Sequence, residues 1–293
     1  MKQLEKPLNS LLERVKGKSV KRIAVAAAED KAVLLSIREA VKTGIIEPVL
    51  VGNKSKIEAI FKEINFSGNK IRIVDESNPS VSAEKAVELI KKGEAEILMK
   101  GFVGTGPLLK AVLDKEKGLK KSGTLSHFAL FDVPSYPKLL GITDAAMNIS
   151  PDFNEKTEIL LNAVDIMHRL GLEVPKVAII SPVEVVNPKI ESTVHAAMLS
   201  MMQKRGQIKG CLIDGPLALD NAISKEAAEH KGIQSEVAGD ADLLLAPDLD
   251  AGNMLYKSLI FFAGGITAAI ITGASAPIVL TSDRTVRRAS ICR

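Results

Sequence analysis

RIAVAAAEDKAVLLSIREAVKTGIIEPVLVGN, residues 22–53, alternates two periodicities. RIAVAAA (22–28) is a short apolar run of strand length. From Asp30 to Thr43 the apolar residues recur at helical spacing behind an Asp suited to cap a helix, and EPVLVGN (47–53) is again β-branched and apolar. A strand, a helix and a second strand in under forty residues predict a parallel βαβ unit. Outward from it the pattern continues. A helix is expected over 54–64, a strand over 71–76, a helix over 82–92, a strand over 96–101 and a helix over 107–113.

After Gly123 the texture changes. TLSHFALF (124–131) and KLLGITDAAMNI (138–149) are separated only by the turn-like DVPSYP, which predicts an antiparallel or edge pair. Alternation then resumes: helix 154–170, strand 176–182, helix 189–205, strand 210–216, helix 219–230, strand 241–248, helix 251–262. Residues 258–280 are uncharged over a bilayer-spanning length. Gly264-Gly265 and Gly273 to Pro277 break that stretch, so it reads as a helix end and two buried strands rather than a membrane span. The fold class is therefore α/β, with mainly parallel sheets flanked by helices in two domains. The expected division is 1–144 plus 274–293 for the first domain and 145–273 for the second.

The 293 residues are 46% hydrophobic and 25% charged, with a formal net charge of +4. Only 3% are aromatic and none is Trp, which argues against stacking on nucleic-acid bases. Two cysteines, Cys211 and Cys292, make neither a disulfide framework nor a cysteine metal site. The opening residues carry Leu4, Leu8, Leu11, Leu12 and Val15 at helical spacing among charges, unlike a signal peptide, and a cytoplasmic location is expected. There is no G-x-G-x-x-G after a strand and no acidic cluster suited to a metal, so a metal- and NAD-dependent dehydrogenase is disfavoured.

In open α/β sheets ligands bind beyond the carboxyl ends of strands, so the residues there are the candidates. Lys100-Gly101 precedes Gly104-Thr105-Gly106-Pro107, a glycine-rich loop entering a helix whose N–H groups suit an anion. Ser126 and His127 fall on opposite strand faces. Asp144 and Asn148 share a face if their strand extends that far; otherwise they form an Asx turn before Pro151. In APDLDAGNMLYKS (246–258), Asp248 ends a strand, Asp250 suits an N-cap, and Gly252-Asn253 leave room and amide donors for phosphate or pantetheine. A merely well-capped helix accounts for Asp250 but not for Asn253 or Tyr256-Lys257. Ser282 and Arg284 follow the last strand, where Arg can hold phosphate bidentately.

Lys100-Gly101 with Thr105, LSHF around Ser126, TDAAMNISP, GPLALDNA (215–222), residues 239–265 and APIVLTS (276–282) occur in the order and spacing of the phosphate acetyl- and butyryltransferases. The chain resembles that family over nearly its whole length, and GPLALDNAIS and LSHF look more like its butyryl branch. The resemblance implies a fold like isocitrate and isopropylmalate dehydrogenases, an active site in an interdomain cleft, no metal or bound cofactor, and a homodimer or larger oligomer. It implies small-molecule partners only, acyl-CoA and phosphate, with CoA attacking an acyl phosphate directly or phosphate attacking acyl-CoA in reverse. Phosphate acetyltransferase and an impaired CoA-binding relative are the alternatives.

By the same resemblance Ser282 and, with an offset, Arg284 clamp phosphate and carbonyl. Ser126, Thr105 and Asn148 line the acyl phosphate site. Lys100, Gly101, His127, Asp144, Asp248, Asn253 and Tyr256 belong to substrate binding. The tail departs from the family: Ser282-Asp283-Arg284 replaces an adjacent Ser-Arg pair, and TVRRASICR supplies neither the expected carboxylate nor a terminal helix. Codons for residues 284–290 can, read two bases later, give Asp-Ser-Ala-Glu-Ser. The tail therefore fits either a shifted reading frame or a natural truncated tail, and diminished activity is expected with it.

Overall fold

The computed structural model describes residues 4–68, 70–121 and 123–280. In chain order they form α1 (Ser10–Val15), β1 (Lys21–Ala26), α2 (Lys31–Lys42), β2 (Ile46–Gly52), α3 (Lys54–Glu63), β3 (Arg72–Asp75), α4 (Pro79–Lys91) and β4 (Ile97–Lys100). Next come α5 (Thr105–Leu113), β5 (Ser126–Asp132), β6 (Leu140–Thr143), α6 (Phe153–Arg169), β7 (Lys176–Ile180), α7 (Glu191–Lys204) and β8 (Leu212–Leu217). The chain ends its described part with α8 (Leu219–Ile223), α9 (Lys225–His230), β9 (Leu243–Leu245), α10 (Leu249–Phe261), β10 (Ile266–Thr272) and β11 (Ile278–Val279).

Contacts group the chain into two units, 12–122 with 273–293 and 1–11 with 123–272. In the first, the strand order is β3-β2-β1-β4-β11, every pair parallel. The local chemistry explains its helices. Asp30 caps α2 by accepting from Val33 N, and Val33, Leu34 and Ile37 face the sheet. Asn78 caps α4 with Pro79 in its first turn, where a missing N–H costs nothing. Ile23, Val25, Leu34, Leu50, Ile57 and Met99 form this unit's core.

In the second unit the order is β10-β5-β6-β9-β7-β8. β6, β9, β7 and β8 run parallel, while β5 is antiparallel to both β10 and β6. The pair expected after Gly123 is thus antiparallel but interior to its sheet. Because β5 and β6 pair into this set, the division falls at 122/123 rather than at 144/145. A capping box of Asp152 and Glu155 starts α6, whose Ile159, Leu160, Ala163, Val164 and Met167 bury against the sheet. Ile142, Phe131, Leu217 and Leu244 lead the core on the opposite face.

Four local expectations are corrected. The helix expected over 219–230 is two, because Ser224 leaves the helical region and caps α9 through Ala227 N. Asp248 rather than Asp250 is the N-cap of α10, accepting from Ala251 N. The strand over 266–272 is not buried as a whole: Ile266 is 55% exposed, since α6 packs over β5 and β6 and α10 over β6. The leucine stripe at the start is helical only from Ser10; Leu4 instead receives a backbone hydrogen bond from Leu139 N and packs in the α6 core. No helix among the described residues is long and apolar enough to cross a membrane.

Candidate functional site

Reversal of β5 sets its beginning beside the carboxyl ends of its neighbours. Ser126 pairs in register with Thr272, the last residue of β10, and Ala129 with Ile142 near the end of β6. Thr143 in turn pairs with Leu245, the last residue of β9. Strand ends and one strand start therefore gather Ser126, His127, Asp144, Asn148, Asp248, Asn253 and Tyr256 on one rim of this unit.

Ser126 and His127 point to opposite faces, as strand alternation requires. Ser126 is fully buried, and its Oγ accepts from Asn162 Nδ2 on α6 at 3.1 Å. The same amide donates to the carbonyl of Thr124 at 2.8 Å, so Asn162 ties down the strand's entry. His127 faces α10, its ring edge to face with Tyr256 at 5.6 Å. Tyr256 also meets Phe131 at 5.2 Å, and burial pushes its phenol above the ordinary value. The imidazole is 7% exposed, and its Nδ1 has no hydrogen-bond partner among the described residues. Burial pushes its pKa down, against an upward pull from Asp144.

β6 ends at Thr143, so Asp144 and Asn148 do not share a strand face; the turn reading is the correct one. The Thr143–Asp144 peptide is cis. Asp144 accepts from the backbone of Ala146 at 2.8 Å, Met147 at 3.0 Å and Asn148 at 3.3 Å. The Asn148 amide bridges Asp144 Oδ2 at 2.5 Å and the carbonyl of Leu125 at 2.8 Å. Asp144 is thus occupied with holding a tight loop, and that loop packs on the first turns of α10. There Asn253 Nδ2 donates to Ala145 O at 3.1 Å. A Cβ at Gly252 would lie 2.3 Å from Asp144 O, so glycine is required for this approach. Asn253, read from sequence as a ligand donor, is engaged in joining helix to loop.

Within the other unit, Lys100 ends β4 and folds over its own loop, Nζ donating to Gly101 O at 3.3 Å and Val103 O at 3.1 Å. Gly101 is forced, because a Cβ would lie 2.2 Å from Ala27 O. Thr105 opens α5 directly, earlier than the helix expected from Pro107. Its N-cap, Gly104, has no side chain to cap the helix, so among the described residues no side-chain cap meets the first N–H groups of α5. Ser282 and Arg284 lie outside the described residues.

Asn162 was missed from the sequence. It sits between Ile159 and Ala163 on the buried stripe of α6, and a polar amide on that stripe is the signal that points to it. Lys156, one turn into α6, was missed too. It is almost fully buried, and its Nζ lies 3.1 Å from His195 Nδ1. Among the described residues no three His, Cys, Asp or Glu gather into a group able to hold a metal ion.

The family model described as phosphate acetyl/butaryl transferase matches residues 7–85 and 80–291. A phosphate butyryltransferase of Clostridium acetobutylicum is 48% identical over 277 residues, covering 94% of this chain and 92% of that protein. A phosphate acetyltransferase of Thermotoga maritima is 44% identical over 275 residues, covering 94% and 93%. Among solved structures, a branched-chain phosphotransacylase from Enterococcus faecalis V583 superposes with a TM-score of 0.80 at 34% identity, covering 91% of this chain and 94% of its own.

Proposed function

Because this chain belongs to the phosphate acetyl/butyryl transferase family, we propose that it exchanges the CoA of butyryl-CoA for inorganic phosphate, giving butyryl phosphate, and catalyses the reverse. The observation that carries this is identity of 48% to a phosphate butyryltransferase across 94% of the chain. Direct attack needs three things of the protein. It must bring the thiol or phosphate nucleophile to the acyl carbon, polarise the carbonyl, and hold the phosphate leaving group with N–H or cationic partners.

Ser126 and Asn148 stand on the rim and are held by Asn162 and Asp144, so their positions are fixed before substrate arrives. We assign them to the acyl phosphate, and Ser282 with Arg284 to its phosphate and carbonyl. Lys100, Gly101 and Thr105 bring an ammonium, a close backbone and an uncapped helix start, the chemistry suited to an anion. We assign these three, with His127, Asp248 and Tyr256, to substrate binding. CoA enters as a substrate, not a resident cofactor. The relationship to isocitrate and isopropylmalate dehydrogenases, a cleft as the place of reaction and a homo-oligomeric state belong to the same proposal.

Turnover of acetyl-, butyryl- and isobutyryl-CoA with phosphate, followed by thiol release, tests it. Higher kcat/KM for butyryl-CoA than for acetyl-CoA supports the assignment, and preference for acetyl-CoA assigns the chain to phosphate acetyltransfer instead.

A further inference from the structure

Butyryl differs from acetyl only by added methylenes, which cannot hydrogen-bond, so a protein tells the two apart by apolar surface alone. The candidate side chains on the rim of the second unit do not offer it. Ser126, Asn148, Asp248 and Asn253 are polar, while His127 is buried and Tyr256 packs on the core. Yet large apolar side chains do stand in solvent on this rim. Ile149, the residue after Asn148, is 77% exposed, and Met254, the residue after Asn253, is 66% exposed. Their backbones are held in place. Leu249 N, at the start of α10, donates to Ile149 O at 3.1 Å, and Asn253 Nδ2 ties the next turn of α10 to Ala145 O at 3.1 Å. We propose that Ile149 and Met254 form the wall that receives the hydrocarbon chain of the butyryl group and sets acyl preference. This role rests on the function assigned above.

Reach singles these residues out. Among the described residues, Val185 and Val186 after β7 and Leu219 after β8 are also large, apolar and exposed at this end of the sheet. Strands lie about 4.8 Å apart, so in the order β5-β6-β9-β7-β8 these stand on strands about 14 and 19 Å from that of Ser126. A butyryl chain spans carbon–carbon bonds of about 1.5 Å and is about 4 Å long. It cannot join Ser126 to either strand. Ile149 is carried by the loop after β6, the strand paired with β5, and is bonded along the chain to Asn148. The close approach of Gly252 to Asp144 O brings α10, and with it Met254, onto the same loop. A butyryl chain laid against these side chains leaves water together with them, whereas acetyl is too short to cover them.

The test measures thiol release from acetyl-CoA and butyryl-CoA with phosphate by the full-length parent, Ile149→Ala, Met254→Ala and, as a control, Val185→Ala. Both proposed positions lie in solvent, so truncation leaves the core intact. Each should lower kcat/KM for butyryl-CoA about tenfold and for acetyl-CoA by less than about threefold. Val185→Ala should change neither. Equal loss for the two thioesters makes Ile149 and Met254 contacts to the CoA or phosphate moiety and overturns the proposal, as does a ratio within about twofold of the parent's. Calorimetry with each thioester in the absence of phosphate reads the same preference without turnover. The parent should bind butyryl-CoA about tenfold more tightly than acetyl-CoA, and Ile149→Ala should narrow that gap. A parent that turns over neither thioester yet shows the gap loses the transfer function and keeps the wall. A parent that favours butyryl in neither measurement overturns the wall itself.

Discussion

Gly252→Ala decides whether the loop after β6 and the start of α10 form one fixed unit. In an open helical position this change stabilises by about 1 kcal/mol, because alanine is the better helix former. Here the added Cβ would lie 2.3 Å from Asp144 O and 3.1 Å from Ala145 Cα. Carbon rests no closer than about 3.3 Å to a carbonyl oxygen, so helix and loop must part by about 1 Å. The hydrogen bond from Asn253 Nδ2 to Ala145 O, 3.1 Å long, does not survive that separation. Overpacking of this kind costs about 1–3 kcal/mol and the lost bond about 1 more. Against the helix-propensity gain, a net loss of about 1–3 kcal/mol remains, a fall in Tm of about 2–12 °C for a domain of this size. Displacing Asn148 and its neighbours by about 1 Å should also lower kcat/KM for butyryl-CoA by about 10²-fold. Differential scanning calorimetry and the thiol-release assay measure the two effects. A variant as stable as the parent, with kcat/KM unchanged, refutes the reasoning.

Asp248→Ala removes the cap that Ala251 N donates to at 2.9 Å and should cost about 0.5–2 kcal/mol by urea unfolding, whereas Asp248→Asn should keep most of it. Lys138 is 2% exposed and bridges Asp242 at 2.6 Å and Asp240 at 2.9 Å; Lys138→Ala leaves a buried carboxylate uncompensated and should cost about 3–5 kcal/mol by the same measurement. Burial raises the pKa of Asp240 but hydrogen bonds from Lys138 and Lys176 outweigh it, so the folded value lies below the ordinary one. The resulting stability is present above the unfolded value of about 3.9 and is lost as pH falls through the folded value. Acid unfolding of Lys176→Ala should accordingly show a shallower decline below about pH 4. Asn162→Ala frees Ser126 Oγ and should lower kcat about tenfold with KM little changed; equal loss in KM would make Asn162 a binding rather than a positioning residue.

The alternation that begins at Arg22 was enough to place nearly every strand and helix, because hydrophobic period and capping residues act locally. α2 opens at the Asp and closes at the Thr that its sequence marks. Where local signals are degenerate the sequence misleads. Asp248 and Asp250 are equally good caps by type, and only the strand end at Leu245 selects the first. The candidate rim was legible as residue types after strands, but the use of each side chain depends on partners far along the chain. Asn253 reads as a free amide until the backbone of Ala145, more than a hundred residues earlier, is found against it. Ser126 likewise acquires its orientation from Asn162, and nothing in LSHF announces that partner.

The return of β11 to the first unit has a consequence for synthesis. Ile278 and Val279 pair with Leu98 and Met99, so one side of β4 waits for its neighbour until about 180 further residues have been translated. At about 5–20 residues per second that wait lasts on the order of 10–40 s. Throughout it the nascent chain carries a row of unanswered N–H and C=O groups on a parallel strand, the template on which two chains on one polysome join wrongly. Yield of active protein should therefore respond to translation speed and to chaperone supply, even where the finished fold is stable.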